Sequence, residues 1–203
     1  MKNIVTICIM ISTFIVAQDT TASVNQEPQL PGWGIYVGGA FGGATSVDDL
    51  PYGFSFESRL IAPNIGVSKG MFLGGIPLIV GAGYHPRGFT YRNTLNDGSI
   101  EGEVENTYDM FDLWATVPYP IGDRAIIQAG FLLGTCLGGT LNNEGEEEDI
   151  DDIEGELDYG IMLGGGFAIT EQIGVNVGYY FGLAEFDEMM KFNGLIFNLG
   201  YNF

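Results

Sequence analysis

Large apolar residues and small or polar ones alternate along much of this chain with a period of two. Over residues 172–183, Ile173, Val175, Val177, Tyr179, Phe181 and Leu183 fall on one side, against Gln172, Gly174, Asn176, Gly178, Tyr180 and Gly182. The C-terminal segment repeats the pattern, with Leu195, Phe197, Leu199, Tyr201 and Phe203 opposite Gly194, Ile196, Asn198, Gly200 and Asn202. Successive side chains of a strand point to opposite faces, so each segment is a ribbon with one oily face and one small, mostly polar face. A soluble sandwich strand shows the same period. The near-exclusive use of large residues on the apolar face favours contact with lipid.

The same reading gives eight strands near Trp33–Gly43, Arg59–Val67, Ile76–Tyr91, Tyr108–Val117, Ala125–Leu137, Leu157–Ile169, Gln172–Leu183 and Asn193–Phe203. In the second, Ile61, Pro63, Ile65 and Val67 fall together against Leu60, Ala62, Asn64 and Gly66. Pro63 donates no ladder hydrogen bond, so a bulge or a later strand start is expected there. His85-Pro86 is expected to kink the third strand. In the fourth, Phe111, Leu113, Ala115 and Val117 face outward and Met110, Asp112, Trp114 and Thr116 inward.

The connections alternate in length. Residues 44–57, 92–107, 142–156 and 184–192 are long and mostly polar or acidic, whereas 68–75, 118–124 and 170–171 are short. Antiparallel strands of a closed barrel alternate ends, and membrane barrels carry short turns at one end and long loops at the other. Closure also pairs every backbone N–H and C=O internally, as lipid demands. The fold expected is therefore all-β, a closed antiparallel eight-stranded transmembrane β-barrel. An eight-stranded barrel is just wide enough for side chains to fill, so a plugged or partly hydrated interior is expected rather than an open pore.

The N-terminus adds export. Lys2 precedes an apolar run from Ile4 to Val16, with a cleavage point after Ala17 and a second candidate after Ala22. This is the three-part pattern of a signal peptide, too short to span a bilayer as a helix. The expected organisation is a signal peptide at 1–17, a polar leader at 18–32 and a barrel domain at 33–203. Composition agrees: 32 Gly, 14 Phe and 10 Tyr in 203 residues suit aromatic, glycine-rich strands. Cys136 is the one cysteine left after cleavage, so no internal disulfide is expected. A formal net charge of −19 with seven basic residues argues against nucleic acid as a partner.

Five segments together carry a family resemblance: Trp33-Gly-Ile-Tyr-Val-Gly-Gly39, Phe111-Asp-Leu-Trp-Ala-Thr-Val-Pro-Tyr119, Gly160-Ile-Met-Leu-Gly-Gly-Gly-Phe167, Val175-Asn-Val-Gly-Tyr-Tyr-Phe-Gly182 and Leu199-Gly-Tyr-Asn-Phe203. The chain resembles the small outer-membrane β-barrel domains of the porin-like superfamily over most of its expected mature length. The resemblance implies an outer-membrane location among lipid and lipopolysaccharide, and a monomeric or weakly associating barrel. It also implies an assembly signal at Leu199, Tyr201 and Phe203, read by the barrel-assembly machinery. It implies no single activity, because the scaffold hosts many.

Candidate chemistry is sparse. His85 is the sole histidine and faces inward, but Ser55, Ser58 and Ser68 stand in no nucleophile motif. Nucleophilic catalysis needs a base beside the nucleophile, so His85 reads as a hydrogen-bonded structural residue. Cys136 lacks a basic neighbour to activate it. Gly164-Gly-Gly166 is mid-strand and cradles no phosphate. In the acidic run Glu144–Glu156, Asp149, Asp151, Asp152 and Glu154 offer oxygens for a hard cation without the spacing of a calcium loop. A run of like charge is ordinarily a solvated loop. No cofactor or catalysis is expected. The function expected is a structural or surface-interaction role, the alternative a narrow channel with an acidic, cation-favouring mouth.

Overall fold

The computed structural model describes residues 32–95, 97–150 and 153–203. The expected signal peptide and, except for Gly32, the leader lie outside the described residues. Strands there are β1 (Trp33–Ser46), β2 (Phe54–Glu57), β3 (Arg59–Leu73), β4 (Ile76–Tyr84), β5 (Arg87–Thr94), β6 (Ile100–Ile121), β7 (Ala125–Asn143), β8 (Glu146–Asp149), β9 (Leu157–Ala168), β10 (Ile173–Gly182) and β11 (Met190–Asn202). All pairings are antiparallel. Eight of these strands close on themselves in the order β1-β3-β4-β6-β7-β9-β10-β11, and β11 returns to β1. The expected barrel is present, with β4 and β5 separated at His85-Pro86.

Lipid-facing residues form a continuous belt. On β6 the outward positions Phe111, Leu113, Ala115, Val117, Tyr119 and Ile121 are all exposed, over the length a tilted membrane strand needs, about 9–11 residues. Aromatic side chains ring the short-turn end: Trp33, Phe72, Phe167, Tyr201 and Phe203 are exposed there, as amphipathic rings at a membrane interface are. Lys69 Nζ lies 4.8 Å from the Trp33 ring centroid.

Beyond Phe111 the outward face of β6 turns acidic through Asp109, Glu105, Glu103 and Glu101. The strand does not stop. β6 and β7 stay paired to Val104↔Asn143, flanked by β5 with β2 on one side and β8 on the other. A five-stranded sheet thus projects past the belt. Charge pairs lace it: Arg92 pairs with Glu57 and Glu103, and Arg59 at the start of β3 pairs with Glu105 and donates to Thr107. Every expected connection but 170–171 shrinks as the strands run on: 100–107 is strand, for example, and β3 continues to a turn at Gly74-Gly75. Both glycines there have φ in the left-handed region, which a tight hairpin turn requires.

The second strand corrects the expected facing. Gly38 pairs with Asn64 but Ala40 with Ile61, so Ala62 and Pro63 together oppose Gly39 in a β-bulge. Both bulge residues are exposed, and the phase flips across them. Ile61 is therefore buried inside and Leu60 lies outside, the reverse of a strict alternation. The bulge is where a residue without an N–H is tolerated; the Ala62–Pro63 peptide is cis.

Candidate functional site: the barrel lumen

The inward faces of the strands build three layers. Nearest the long-loop end is an apolar plug. Phe89, Tyr108, Met110, Leu132, Cys136, Ile153, Phe186, Met190 and Phe192 are buried together, and Met110 and Phe186 have no exposed surface. The rings touch in sequence: Phe56–Phe89 at 4.6 Å, Phe89–Tyr108 at 6.2 Å, Tyr108–Phe186 at 5.3 Å and Phe186–Phe192 at 4.8 Å between centroids. Such offset and edge contacts are favourable aromatic geometries. The connection between β10 and β11 folds inward to supply Phe186.

Below the plug lies a polar girdle. Arg87 on β5 donates from Nη1 to Asp112 Oδ1 at 3.1 Å and from Nη2 to Oδ2 at 3.2 Å, a bidentate fork. Its Nε reaches Asp158 Oδ2 at 2.7 Å, which also accepts from Tyr180 Oη at 2.8 Å. Both carboxylates are wholly buried. His85 bridges onward, with Nδ1 2.9 Å from Asp112 Oδ2 and Nε2 2.7 Å from Tyr36 Oη. Trp114 Nε1 donates to Tyr36 Oη at 3.3 Å. One assignment satisfies the His85–Tyr36–Trp114 chain: Nδ1 donates to the carboxylate, and Nε2 accepts from the Tyr36 hydroxyl. Asp158 Oδ1 is buried without a partner among the described residues.

Glycines provide the room. A Cβ on Gly134 would lie 2.2 Å from Asp112 Oδ1, one on Gly81 2.3 Å from the Trp114 ring, and one on Gly66 2.3 Å from Tyr36 Oη. Each large inward side chain lies across a neighbouring strand's backbone, and a methyl there would displace it.

The third layer is a hollow. From His85 and Trp114 to the short-turn end runs a vestibule of about 860 Å³, whose walls include Ser68, Gln128, Asn176, Asn198 and Asn202. Between girdle and plug a pocket of only about 30 Å³ remains beside Asn64, room for a single water. The Asn64 amide is buried and has no partner among the described residues.

Of the residues singled out from sequence, His85 is inward and hydrogen-bonded on both ring nitrogens. Cys136 is buried in the plug, its Sγ 3.3 Å from the Gly138 carbonyl oxygen. Asp149 ends β8 and Glu154 lies in a turn, while Asp151 and Asp152 lie outside the described residues. No metal-binding group of three or more ligands occurs among the described residues. Leu199, Tyr201 and Phe203 line the outer face of β11, and Phe203 N donates to the Trp33 carbonyl at 2.9 Å. Sequence reasoning missed Arg87 and Asp158, and placed Tyr180 inward without a role. Asp112 carried a signal, an acid at an inward position of a membrane strand, where an ionisable group marks a functional or paired site.

Comparison with known proteins identifies the architecture. A family model described as outer membrane protein beta-barrel domain matches residues 7–203. Neisserial surface protein A is similar in structure, with a TM-score of 0.53 at 12% identity over 84% of this chain and 97% of that one. Ail, the attachment invasion locus protein of Yersinia pestis, aligns with a TM-score of 0.46 at 12% identity over 86% of this chain and 100% of that one. OprG from Pseudomonas aeruginosa aligns with a TM-score of 0.46 at 12% identity over 85% and 96%. No curated protein sequence matches the chain.

Proposed function

Because the chain belongs to the outer membrane protein β-barrel domain family, we propose that it is a closed barrel with a structural or surface-interaction role, without catalysis. In this reading the long-loop end faces outward and presents the projecting acidic sheet, a formed surface and not a set of floppy loops. Export uses the N-terminal signal peptide. Leu199, Tyr201 and Phe203 are the assembly signal for the barrel-assembly machinery, and the mature protein is a monomer among lipid and lipopolysaccharide.

The observation that carries this is the plug: above the girdle the lumen is filled by one cluster of buried apolar side chains. Opening a path would separate Arg87 from Asp112 and expel Phe186 and Phe192. His85 has both nitrogens engaged by Tyr36 and Asp112, and no serine stands among its hydrogen-bond partners, which supports the absence of catalysis. One feature favours the second reading, a narrow cation-favouring channel: the vestibule already hollows the short-turn half of the barrel. Conductance in planar bilayers separates the two. The closed reading expects no discrete steps; single-channel steps selective for cations would overturn it.

A further inference from the structure

We infer that the vestibule is a binding site for a small uncharged saccharide, an assignment independent of whichever partner the outer sheet meets. Its volume of about 860 Å³ lies within the range of ligand pockets, about 300–1,000 Å³. The plug closes its inner end, so it is a cup with one mouth.

The wall chemistry selects the ligand. Asn176 and Asn198 are cross-strand partners on β10 and β11, and Asn202 lies on the same inward face four residues on, beyond Gly200. With Gln128 and Ser68 they form a wall of groups that both donate and accept. Among the described residues Gln128 accepts from Thr116 at 3.1 Å, while Asn198 Oδ1, itself buried against the Gly38 backbone, has no partner. Hydroxyls donate and accept in the same way, so a polyol complements these amides.

Charge is confined to the rim, at Arg124 and Glu171, and His85 is held by Asp112. An anionic or cationic solute would lose hydration in the cup without gaining an opposite charge. Trp114 lies with one side against the Gly81 backbone and is half-buried beside the cavity, so the indole offers apolar surface to the C–H face of a sugar ring. Glycines keep the cup open: Cβ atoms on Gly38 and Gly166 would lie 2.3 Å and 2.5 Å from the amide oxygens of Asn198 and Asn176.

The test is titration of the full barrel in lipid nanodiscs with N,N′-diacetylchitobiose, following the fluorescence of Trp114 in a Trp33→Phe background. A saturable change is expected, with no response to glucosamine, which is cationic. Asn176→Leu/Asn198→Leu removes two hydrogen-bonding groups and is expected to weaken binding about tenfold or more. Gel mobility with and without boiling verifies that each variant is folded; should the leucine pair not fold, Asn176→Ser/Asn198→Ser serves, with the same direction of effect. Absence of any saturable change, or binding undiminished in the folded variant, overturns the assignment.

Discussion

The two halves of the lumen share the same closed ring of strands and differ in what those strands point inward. Toward the long loops, β6 contributes Tyr108 and Met110, β7 Leu132 and Cys136, and β11 Met190 and Phe192. Toward the short turns, the same β7 contributes Gln128 and Gly130 and the same β11 contributes Asn198 and Gly200. Strand number and stagger set the diameter; side-chain volume then decides whether a given depth is solid or hollow. The boundary between the halves is the Arg87 girdle, where one guanidinium serves two buried carboxylates. Burying charge is tolerable only when it is paired and hydrogen-bonded, and the girdle meets that condition with Tyr36, His85 and Tyr180 completing the network.

The contrast can be broken most severely at the girdle itself. Arg87→Met leaves Asp112 and Asp158 buried without a cation and is expected to cost about 3–5 kcal/mol. Urea unfolding in lipid vesicles reads this, and adding Asp112→Asn and Asp158→Asn should recover most of it. In the plug, Phe186→Ala removes a fully buried ring. A loss near the lower end of about 3–5 kcal/mol is expected, because the connection carrying Phe186 can partly collapse.

A pair of glycine changes sharpens the comparison at smaller scale. Gly134→Ala drives a methyl into Asp112 and is expected to cost about 1–3 kcal/mol by overpacking. Gly200→Ala meets nothing closer than 3.7 Å and should stay within about 0.5 kcal/mol. The smallest effect belongs to the vestibule wall, where Asn176→Ala should also fall within about 0.5 kcal/mol, since its amide makes no hydrogen bond among the described residues. Equal losses for Phe186→Ala and Asn176→Ala in the same unfolding assay would erase the distinction between plug and cup.

Much of the barrel was legible because lipid imposes a strict rule: large residues out, small or polar ones in. Ile173 to Leu183 and Leu195 to Phe203 display it with two large inward exceptions, Tyr180 and Ile196. Reading went astray where charge resembled a loop. Glu101, Glu103 and Glu105 look like a solvated stretch, yet all three lie in β6, and Glu103 and Glu105 pair with β5 opposite Arg92 and Thr90. Glu146–Asp149 is a run of like charge that nonetheless pairs with Thr140–Asn143, because backbone hydrogen bonds do not depend on side-chain polarity. The facing of Ile61 was hidden by a bulge that shifts the phase by one residue. His85 was legible as an inward residue, and Asp112 as its neighbour in the inward set. Their connection was not, since Tyr36, His85, Arg87, Asp112, Asp158 and Tyr180 come from distant stretches and converge only when the ring closes.

Thiol accessibility at two depths tests the closed-plug, open-cup account most directly. A small water-soluble maleimide is offered to Cys136 in the plug, and to a cysteine introduced by Asn176→Cys in a Cys136→Ser background, with the barrel in lipid. The account predicts rapid labelling at position 176 and protection of Cys136 until the barrel is unfolded. Labelling of Cys136 in the folded barrel at a rate comparable to position 176 would contradict it, because water would then reach through the lumen.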